Sequence, residues 1–187
     1  MKISVIRHGR SLCTENHPVT AQAFRNWVEK YNRMGVFEEA EYNSIAIKAI
    51  ENANFILTSD YKRAIQSANL LGCSGNVEIH AIFREAELPL PPLNRLRLKL
   101  RPVIWSVLFR CLWLLGVPAS CESLTDARER AVKAADLLIS YAEEHQSVVL
   151  VGHAFFNRLI GVELMKRGWK GQKPGSKNWS CSTYHYG

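Results

Sequence analysis

The sequence lacks the features of several common classes of protein. Its five cysteines are an odd number, scattered along the chain with no Cys-x-x-Cys spacing, which argues against a disulfide framework and a structural zinc site. It has no secretory signal, internal repeat or low-complexity tract, and no apolar run long enough for a comfortable membrane span. These absences predict a reduced protein of the cytoplasm.

Length and composition are those of an ordinary globular protein. With 187 residues, 47% of them hydrophobic and 22% charged, the chain can bury a substantial core, so we expect one domain over residues 1–187. The net charge of +7 and the pI near 9.3 favour acidic partners: phosphorylated metabolites, nucleic acid or an anionic membrane surface. Charge alone does not choose among these partners.

An Arg-His-Gly triplet follows the first predicted strand, residues 2–6, which is rich in β-branched side chains. In open α/β sheets ligands bind at the carboxyl ends of the strands, where Arg7 and His8 stand. Arg7 offers a planar fork of donors that matches a phosphoryl group, and His8 can act as a nucleophile near neutral pH. Gly9 lets the backbone turn sharply and approach a ligand closely. Three residues alone are a weak signal.

The remaining elements follow from apolar periodicity and capping signals. The predicted helices cover about residues 20–34, 38–52, 61–71 and 155–167, with a long helix from about residue 124. The predicted strands cover residues 55–58, 77–81, 147–151 and 182–186. In the first helix the apolar face, predicted to lie in the core, comprises Phe24, Trp27, Val28, Tyr31 and Met34.

Other strand ends also carry charged or titratable side chains. Arg63 stands in the first turn of a helix that follows a strand, and His153 follows the strand before the last helix. Glu85 and Glu87 emerge beyond another strand as candidates for acid chemistry. If the sheet is mostly parallel, all these ends lie along one edge together with the Arg-His-Gly triplet.

This set of groups predicts phosphoryl transfer. An unprotonated ring nitrogen of His8 attacks phosphorus in line and becomes phosphohistidine, while two arginines and a protonated His153 stabilise the phosphoryl oxygens. Glu85 protonates the leaving oxygen and later activates water. Ala154 adds a backbone donor at a helix start. The arginines supply the charge neutralisation, so we expect no metal and no cofactor. The predicted catalytic residues are Arg7, His8, Arg63, Glu85 and His153.

The sequence resembles the histidine phosphatase superfamily, the phosphoglycerate-mutase-like group with an Arg-His-Gly motif. The matching segments are residues 7–9 with Ser11, residues 59–68 around the second arginine, residues 83–85, residues 122–124 with Arg130, and residues 152–154. They span nearly the whole chain in the family's order. The resemblance implies a three-layer α/β/α sandwich with a mostly parallel central sheet, and the activity of a histidine acid-type phosphatase. The motif spacing favours Glu85 over Glu87 as the acid.

Four positions depart from the family pattern. Arg10 stands where Glu or Gln is frequent, and Thr14 stands where an asparagine commonly helps to hold phosphate. Pro89 and Cys121 replace glycines. No departure removes a catalytic group, but together they leave the substrate open. The implied phosphate-binding residues are Arg7, His8, Arg63, His153, Ala154 and Thr14.

An apolar and basic inserted segment at about residues 90–118 contains the most unusual stretch, residues 103–117, which only Ser106, Arg110 and Gly116 interrupt. Three interpretations remain open: a core helix, which we favour; a lid or homodimer contact; and an interfacial helix touching a membrane with the basic stretch 95–101 alongside. The segment also suggests a small phosphate ester with a hydrophobic or bulky body as substrate.

Hydrolysis is favoured over a mutase reaction because the mutases of this family that resemble the chain are longer, with insertions that close over the site and keep water out. A phosphoglycerate-mutase-type phosphotransferase and a protein phosphohistidine phosphatase remain alternatives. A non-catalytic anion-binding module is less favoured, since anion binding has no need for a placed carboxylate. No nucleic-acid partner is expected, because the chain carries no recognised motif or basic stripe with interleaved aromatic residues.

Overall fold

The computed structural model describes residues 1–73, 77–90, 98–117 and 121–187. Its α-helices are α1 (Ala21–Arg33), α2 (Ser44–Glu51), α3 (Lys62–Leu70), α4 (Pro102–Leu114), α5 (Leu124–His145) and α6 (Ala154–Lys166). Its strands are β1 (Lys2–Arg7), β2 (Val19–Thr20), β3 (Phe55–Thr58), β4 (Val77–Ile79), β5 (Lys99–Leu100), β6 (Ser147–Gly152), β7 (Lys170–Gly171) and β8 (Cys181–His185). A 3₁₀ turn spans Ala81–Phe83.

The central sheet has the strand order β4-β3-β6-β1-β8-β7. The neighbours β4, β3, β6 and β1 are parallel, whereas β8 runs antiparallel to β1 and β7 antiparallel to β8. The expected α/β fold with a mostly parallel sheet is therefore confirmed. Strands β2 and β5 form a small antiparallel pair that we did not predict.

Side chains of alternating direction cover both faces of the sheet, as its central position requires. Ile3 and Val5 of β1 pack in one core cluster with Leu138 of α5. Ile6 packs in a second cluster with Ala68 of α3. Helices α5 and α6 thus cover one face and α2 and α3 the other, which gives the three-layer α/β/α sandwich.

Helix α4 packs against α1 outside the three layers. Trp105 and Phe109 are almost fully buried and cluster with Phe24 of α1. Trp105 and Phe109 are four positions apart and lie on the only face of α4 that meets another described element. The core-helix interpretation therefore holds for this face. The opposite face is exposed. Residues 95–97 of the basic stretch 95–101 lie outside the described residues.

Two predicted elements are shorter than expected. The helix predicted over residues 38–52 begins only at Ser44, because the Asn43 side chain accepts from the N–H groups of Ile45 and Ala46 and caps the helix there. The strand predicted over 77–81 ends at Ile79 and gives way to the 3₁₀ turn. By contrast, Ser123 and Asp126 form the predicted capping box of α5.

Within the described residues, none of the helices combines the length and apolar character needed to cross a membrane. Cys13, Cys111, Cys121 and Cys181 are free thiols.

Candidate active site

Two histidines meet where the neighbouring parallel strands β1 and β6 end. Arg7 is in register with Gly152, and the N–H of His8 donates to the Gly152 carbonyl at 3.0 Å. The ring centroids of His8 and His153 are 5.2 Å apart. The two rings lie close together because their strands end at the same edge of the sheet, as predicted.

The ring of His8 is held in one tautomer. Its Nδ1 lies 2.7 Å from the carbonyl oxygen of Gly9, which can only accept, so Nδ1 carries the hydrogen and Nε2 keeps its lone pair. Only 3% of the residue is exposed. Burial, assisted by the charge of Arg63, lowers the pKa of His8 to about 3, which keeps the ring neutral at physiological pH.

His153 is fully buried, and its Nε2 lies 2.7 Å from the Ser59 hydroxyl, at the end of β3. Its Nδ1 is buried without a hydrogen-bond partner. Burial and the charge of Arg63 lower the pKa of His153 well below its ordinary value. The expected protonated His153 is therefore not the form that the free protein favours, because a cation here would lie in a dry site beside other cations.

Arg63 is a buried cation, 1% exposed, enclosed by aromatic rings. Its guanidinium carbon lies 4.8 Å from the centroid of the Tyr31 ring and 4.4 Å from that of Tyr61. Nη1 donates to Asn32 Oδ1 at 3.2 Å, while Nε is buried without a partner. Within the described residues, no carboxylate forms an ion pair with this guanidinium, an arrangement suited to an external anion.

Arg7 is fixed by the segment before β8. Its Nη1 donates to the carbonyl of Ser176, and its backbone exchanges hydrogen bonds with Trp179 and Ser180. Asn178 Nδ2 donates to the His8 carbonyl at 3.0 Å. The Nε of Arg7, like that of Arg63, is buried without a partner.

Gly9 allows this segment to close over the triplet. A Cβ at position 9 would lie 2.1 Å from Trp179 Cζ2, which no side chain tolerates. Trp179 itself is 5% exposed and has a positive φ of 61°. The Gly9 N–H donates to the Ser67 hydroxyl at 2.9 Å. Glycine is required here for the close approach of the indole ring.

Glu85 is held at the start of α6. Its two carboxylate oxygens accept from the N–H groups of Phe155 at 3.1 Å and Phe156 at 2.8 Å. The charge of Glu85 opposes the lowering of the Arg63 pKa by burial, and both residues line the same cavity. Glu87 is exposed and accepts from the Glu122 N–H at 3.0 Å.

Arg130 braces the loop that carries Glu85. Its Nη1 donates to the carbonyls of Ile82 at 2.6 Å and Arg84 at 2.9 Å. Two further guanidinium nitrogens donate to the Glu122 carboxylate at 2.6 and 2.8 Å. Glu122 and Arg130, which both belong to segments that match the family, therefore pair and position the loop that carries Glu85.

A cavity of about 1240 Å³ opens above these groups. The predicted residues that line it are Arg7, Thr14, Arg63, Glu85 and Ala154, together with Glu87. His8 and His153 are buried and are not among the lining residues. On α1, Trp27, Val28 and Tyr31 are only half-buried, because the face that we predicted to lie in the core forms a wall of this cavity.

Several supporting residues were not predicted from the sequence. Ser59 directly follows a strand, as His8 does, and that position could have indicated it. Asn157 bridges β1 and β6: its Nδ2 donates to the Ile6 carbonyl at 3.1 Å, and its Oδ1 accepts from the His153 N–H at 3.3 Å. Trp179 lies in a polar tail with no periodicity, so no signal in the sequence predicts its role.

The part of the chain that the structure describes holds no group of three or more side chains suited to bind a metal ion.

Several solved structures share this fold, and two of those described next are of phosphatases. A protein encoded by an open reading frame of Mycobacterium tuberculosis superposes with a TM-score of 0.59 at 15% identity, covering 100% of this chain and 91% of that one. A mycobacterial glucosyl-3-phosphoglycerate phosphatase gives 0.57 at 17% identity, over 97% and 88% of the two chains. A histidine-to-alanine mutant of Entamoeba histolytica phosphoserine phosphatase, in complex with phosphoserine, gives 0.56 at 15%, over 100% and 91%.

The search of curated proteins finds no match. A family model, by contrast, matches residues 38–187, which include the segments around Arg63, Glu85 and His153. The matched range begins after the Arg-His-Gly triplet, so the triplet is a separate observation. The chain belongs to the histidine phosphatase superfamily, branch 1.

Proposed function

We propose that this protein is a metal-independent phosphomonoester hydrolase that acts through a phosphohistidine on His8. The observation that carries the proposal is the state of that ring: it is neutral, and Nδ1–H is committed to the Gly9 carbonyl. Nε2 therefore keeps the lone pair that a nucleophile needs. Simple anion binding would favour a protonated imidazole instead.

The groups around His8 fit the charge of a phosphoryl group. Arg7 and Arg63 each keep a buried Nε without a partner, so both have donors left for phosphoryl oxygens. The Nδ1 of His153 is likewise without a partner. The negative charge of a bound phosphoryl dianion stabilises the protonated form of His153. We therefore propose that His153 takes up a proton as the substrate binds, or receives it from the monoanionic form of the substrate.

The proposed reaction has two displacements. In the first, His8 Nε2 forms a bond to phosphorus, the ester P–O bond breaks, and Glu85 gives a proton to the leaving oxygen. In the second, Glu85 takes a proton from water, the resulting hydroxide attacks phosphorus, and the P–N bond breaks to release inorganic phosphate. Glu85 begins and ends the cycle in the same protonation state.

The walls of the cavity favour an ester with an apolar body. Trp27 and Val28 of α1 face the same space as Val103 and Val107 of α4, beside the charged floor. Burial of apolar substrate area against these side chains would contribute binding free energy. We therefore propose aryl or other hydrophobic phosphomonoesters as substrates, rather than the phosphoserine or glucosyl-3-phosphoglycerate named for two structural neighbours.

The first test is phosphate release from 1-naphthyl phosphate in the presence of EDTA. We expect activity from the wild type and a loss of at least about a thousandfold in His8→Ala, since the nucleophile is gone. Rapid acid-free quenching with radiolabelled substrate should trap phosphate on the wild-type protein and not on the variant.

Other outcomes would contradict the proposal. An inert wild type that binds vanadate would indicate an anion-binding module. Transfer of phosphate between hydroxyl groups of a glycerate, with none released to water, would indicate a mutase. Dephosphorylation of phosphohistidine proteins but not of aryl phosphates would indicate a protein phosphohistidine phosphatase.

A further inference from the structure

Helix α4 exposes an apolar face that no described element covers. Of the 13 large apolar side chains that are exposed in the described residues, eight lie between residues 98 and 117. Within α4 itself, Ile104 and Leu108 lie one turn apart and are 47% and 38% exposed. Val103 and Val107, beside them, are 57% and 59% exposed. A concentration of this kind on one helix marks an interaction surface.

The segment of sequence that contains this face carries charge of a single sign. Between residues 88 and 121 the sequence contains no aspartate and no glutamate. The basic residues of that stretch are Arg95, Arg97, Lys99, Arg101 and Arg110. Lys99 and Arg101 immediately precede α4 and are exposed. An apolar helix face with cations at its end is complementary to the headgroups and acyl boundary of an anionic membrane.

From this combination we propose that the outer face of α4, defined by Ile104 and Leu108 with Lys99 and Arg101, docks the protein on an anionic lipid bilayer. A second copy of the chain fits less well, because two such faces would bring the same cations together. The proposal goes beyond the hydrolase activity and does not depend on it.

The position of the cavity agrees with docking through the outer face of α4. Val103 and Val107 are exposed and also line the catalytic cavity, so the membrane-facing surface borders the mouth of the site. In the docked protein, the mouth of the cavity would therefore lie next to the bilayer surface.

The test is co-sedimentation of the full chain with vesicles. Vesicles of phosphatidylcholine alone are compared with vesicles that also contain phosphatidylglycerol, in low and in high salt. We expect binding to the anionic vesicles that weakens in high salt, because the cations at the start of α4 contribute through screened interactions. His8→Ala should bind as the wild type does, which separates this result from the fate of the catalytic proposal.

Two variants address the two components of the surface. Ile104→Glu combined with Leu108→Glu should weaken binding about tenfold or more, since two apolar contacts are replaced by charges that anionic lipid repels. Hydrolysis of a soluble aryl phosphate should stay unchanged, because neither side chain lines the cavity. A matched control is Ile45→Glu combined with Ile79→Glu, two side chains that are 62% and 48% exposed elsewhere.

The second variant, Lys99→Gln with Arg101→Gln, leaves the apolar face intact and should weaken binding to anionic vesicles about tenfold or more. The proposal is overturned if the wild type does not sediment with anionic vesicles, or if the α4 variant binds as well as its control. Sedimentation equilibrium tests the alternative occupant, a second copy of the chain. A dimer that is dissociated by Ile104→Glu combined with Leu108→Glu, and not by the control, would assign the face to that second copy.

Discussion

At the scale of single residues, the two carboxylates near the candidate active site differ in their surroundings. Glu85 accepts hydrogen bonds at the start of α6, and its charge opposes the lowering of the Arg63 pKa by burial. Glu87 is exposed, and its carboxylate contacts the backbone of Glu122. A proton donor must reach the leaving oxygen next to the arginines, so the surroundings of Glu85 suit the role better.

We therefore expect different losses when each carboxylate is replaced by an amide. Glu85→Gln should lower kcat/KM for a phosphomonoester with a poor leaving group by about 10² to 10⁴-fold, the range typical of general acid catalysis. The loss should be smaller for a nitrophenyl ester, whose leaving oxygen needs little protonation. Glu87→Gln is the matched control and should stay within about threefold of the wild type.

Steady-state kinetics on both esters check this prediction, with thermal unfolding to confirm that each variant folds. If Glu87→Gln shows the large, leaving-group-dependent loss and Glu85→Gln does not, the acid is Glu87.

Residue types at strand ends could be predicted from the sequence, whereas their supports could not. His8, Arg63 and His153 stand out because each follows a strand and carries a chemically distinctive side chain. Ser67 contacts Gly9 from a position 58 residues away, and Trp179 encloses the triplet from the far end of the chain. Such long-range contacts depend on tertiary packing, which single-sequence periodicity does not contain.

At the scale of elements, α1 and α4 form the apolar wall of the cavity, and one side chain on that wall offers a test of substrate choice. Val107 lines the cavity, so Val107→Asp should lower kcat/KM for 1-naphthyl phosphate by about tenfold, through lost apolar contact. For phosphoserine, which has no apolar body, the change should stay within about threefold.

The matched control for Val107→Asp is Leu114→Asp on the same helix. Leu114 is 49% exposed, close to the 59% of Val107, but does not line the cavity. Equal effects of the two substitutions, or equal losses on both substrates, would show that the α4 wall does not contact the ester body.

Elements were predictable where local signals acted alone. Thr20 caps α1 and the Ser123–Asp126 capping box starts α5, both as expected. In the apolar stripe of α1, Phe24 lies in the core as predicted, whereas Trp27, Val28 and Tyr31 also form a cavity wall. Hydrophobic periodicity cannot distinguish a core from a cavity wall. The antiparallel direction of β8 could not be predicted from the sequence either, because strand direction depends on where the connecting segment crosses the sheet.

At the scale of the whole molecule, the buried histidines couple folding to pH. His8 and His153 titrate at ordinary values when the chain is unfolded, whereas in the folded protein burial lowers the pKa of His8 to about 3 and that of His153 well below its usual range. At neutral pH both forms of the chain carry neutral rings. As the pH falls below about 6.5, the unfolded chain binds protons that the folded chain excludes.

The free energy of unfolding should therefore decrease as the pH falls from 6.5 toward 5, by about 1.5 kcal/mol for His8 and by a further amount for His153. The carboxylates with lowered pKa, such as Asp60, lose their contribution only at lower pH. Urea unfolding at several pH values in this window measures the slope, and His8→Gln should make it shallower. The matched control for the loss of an imidazole is His17→Gln, which replaces an exposed histidine. A slope that is the same in His8→Gln and in the wild type would mean that His8 is not buried as a neutral ring, and the nucleophile proposed for the site would lose its physical basis.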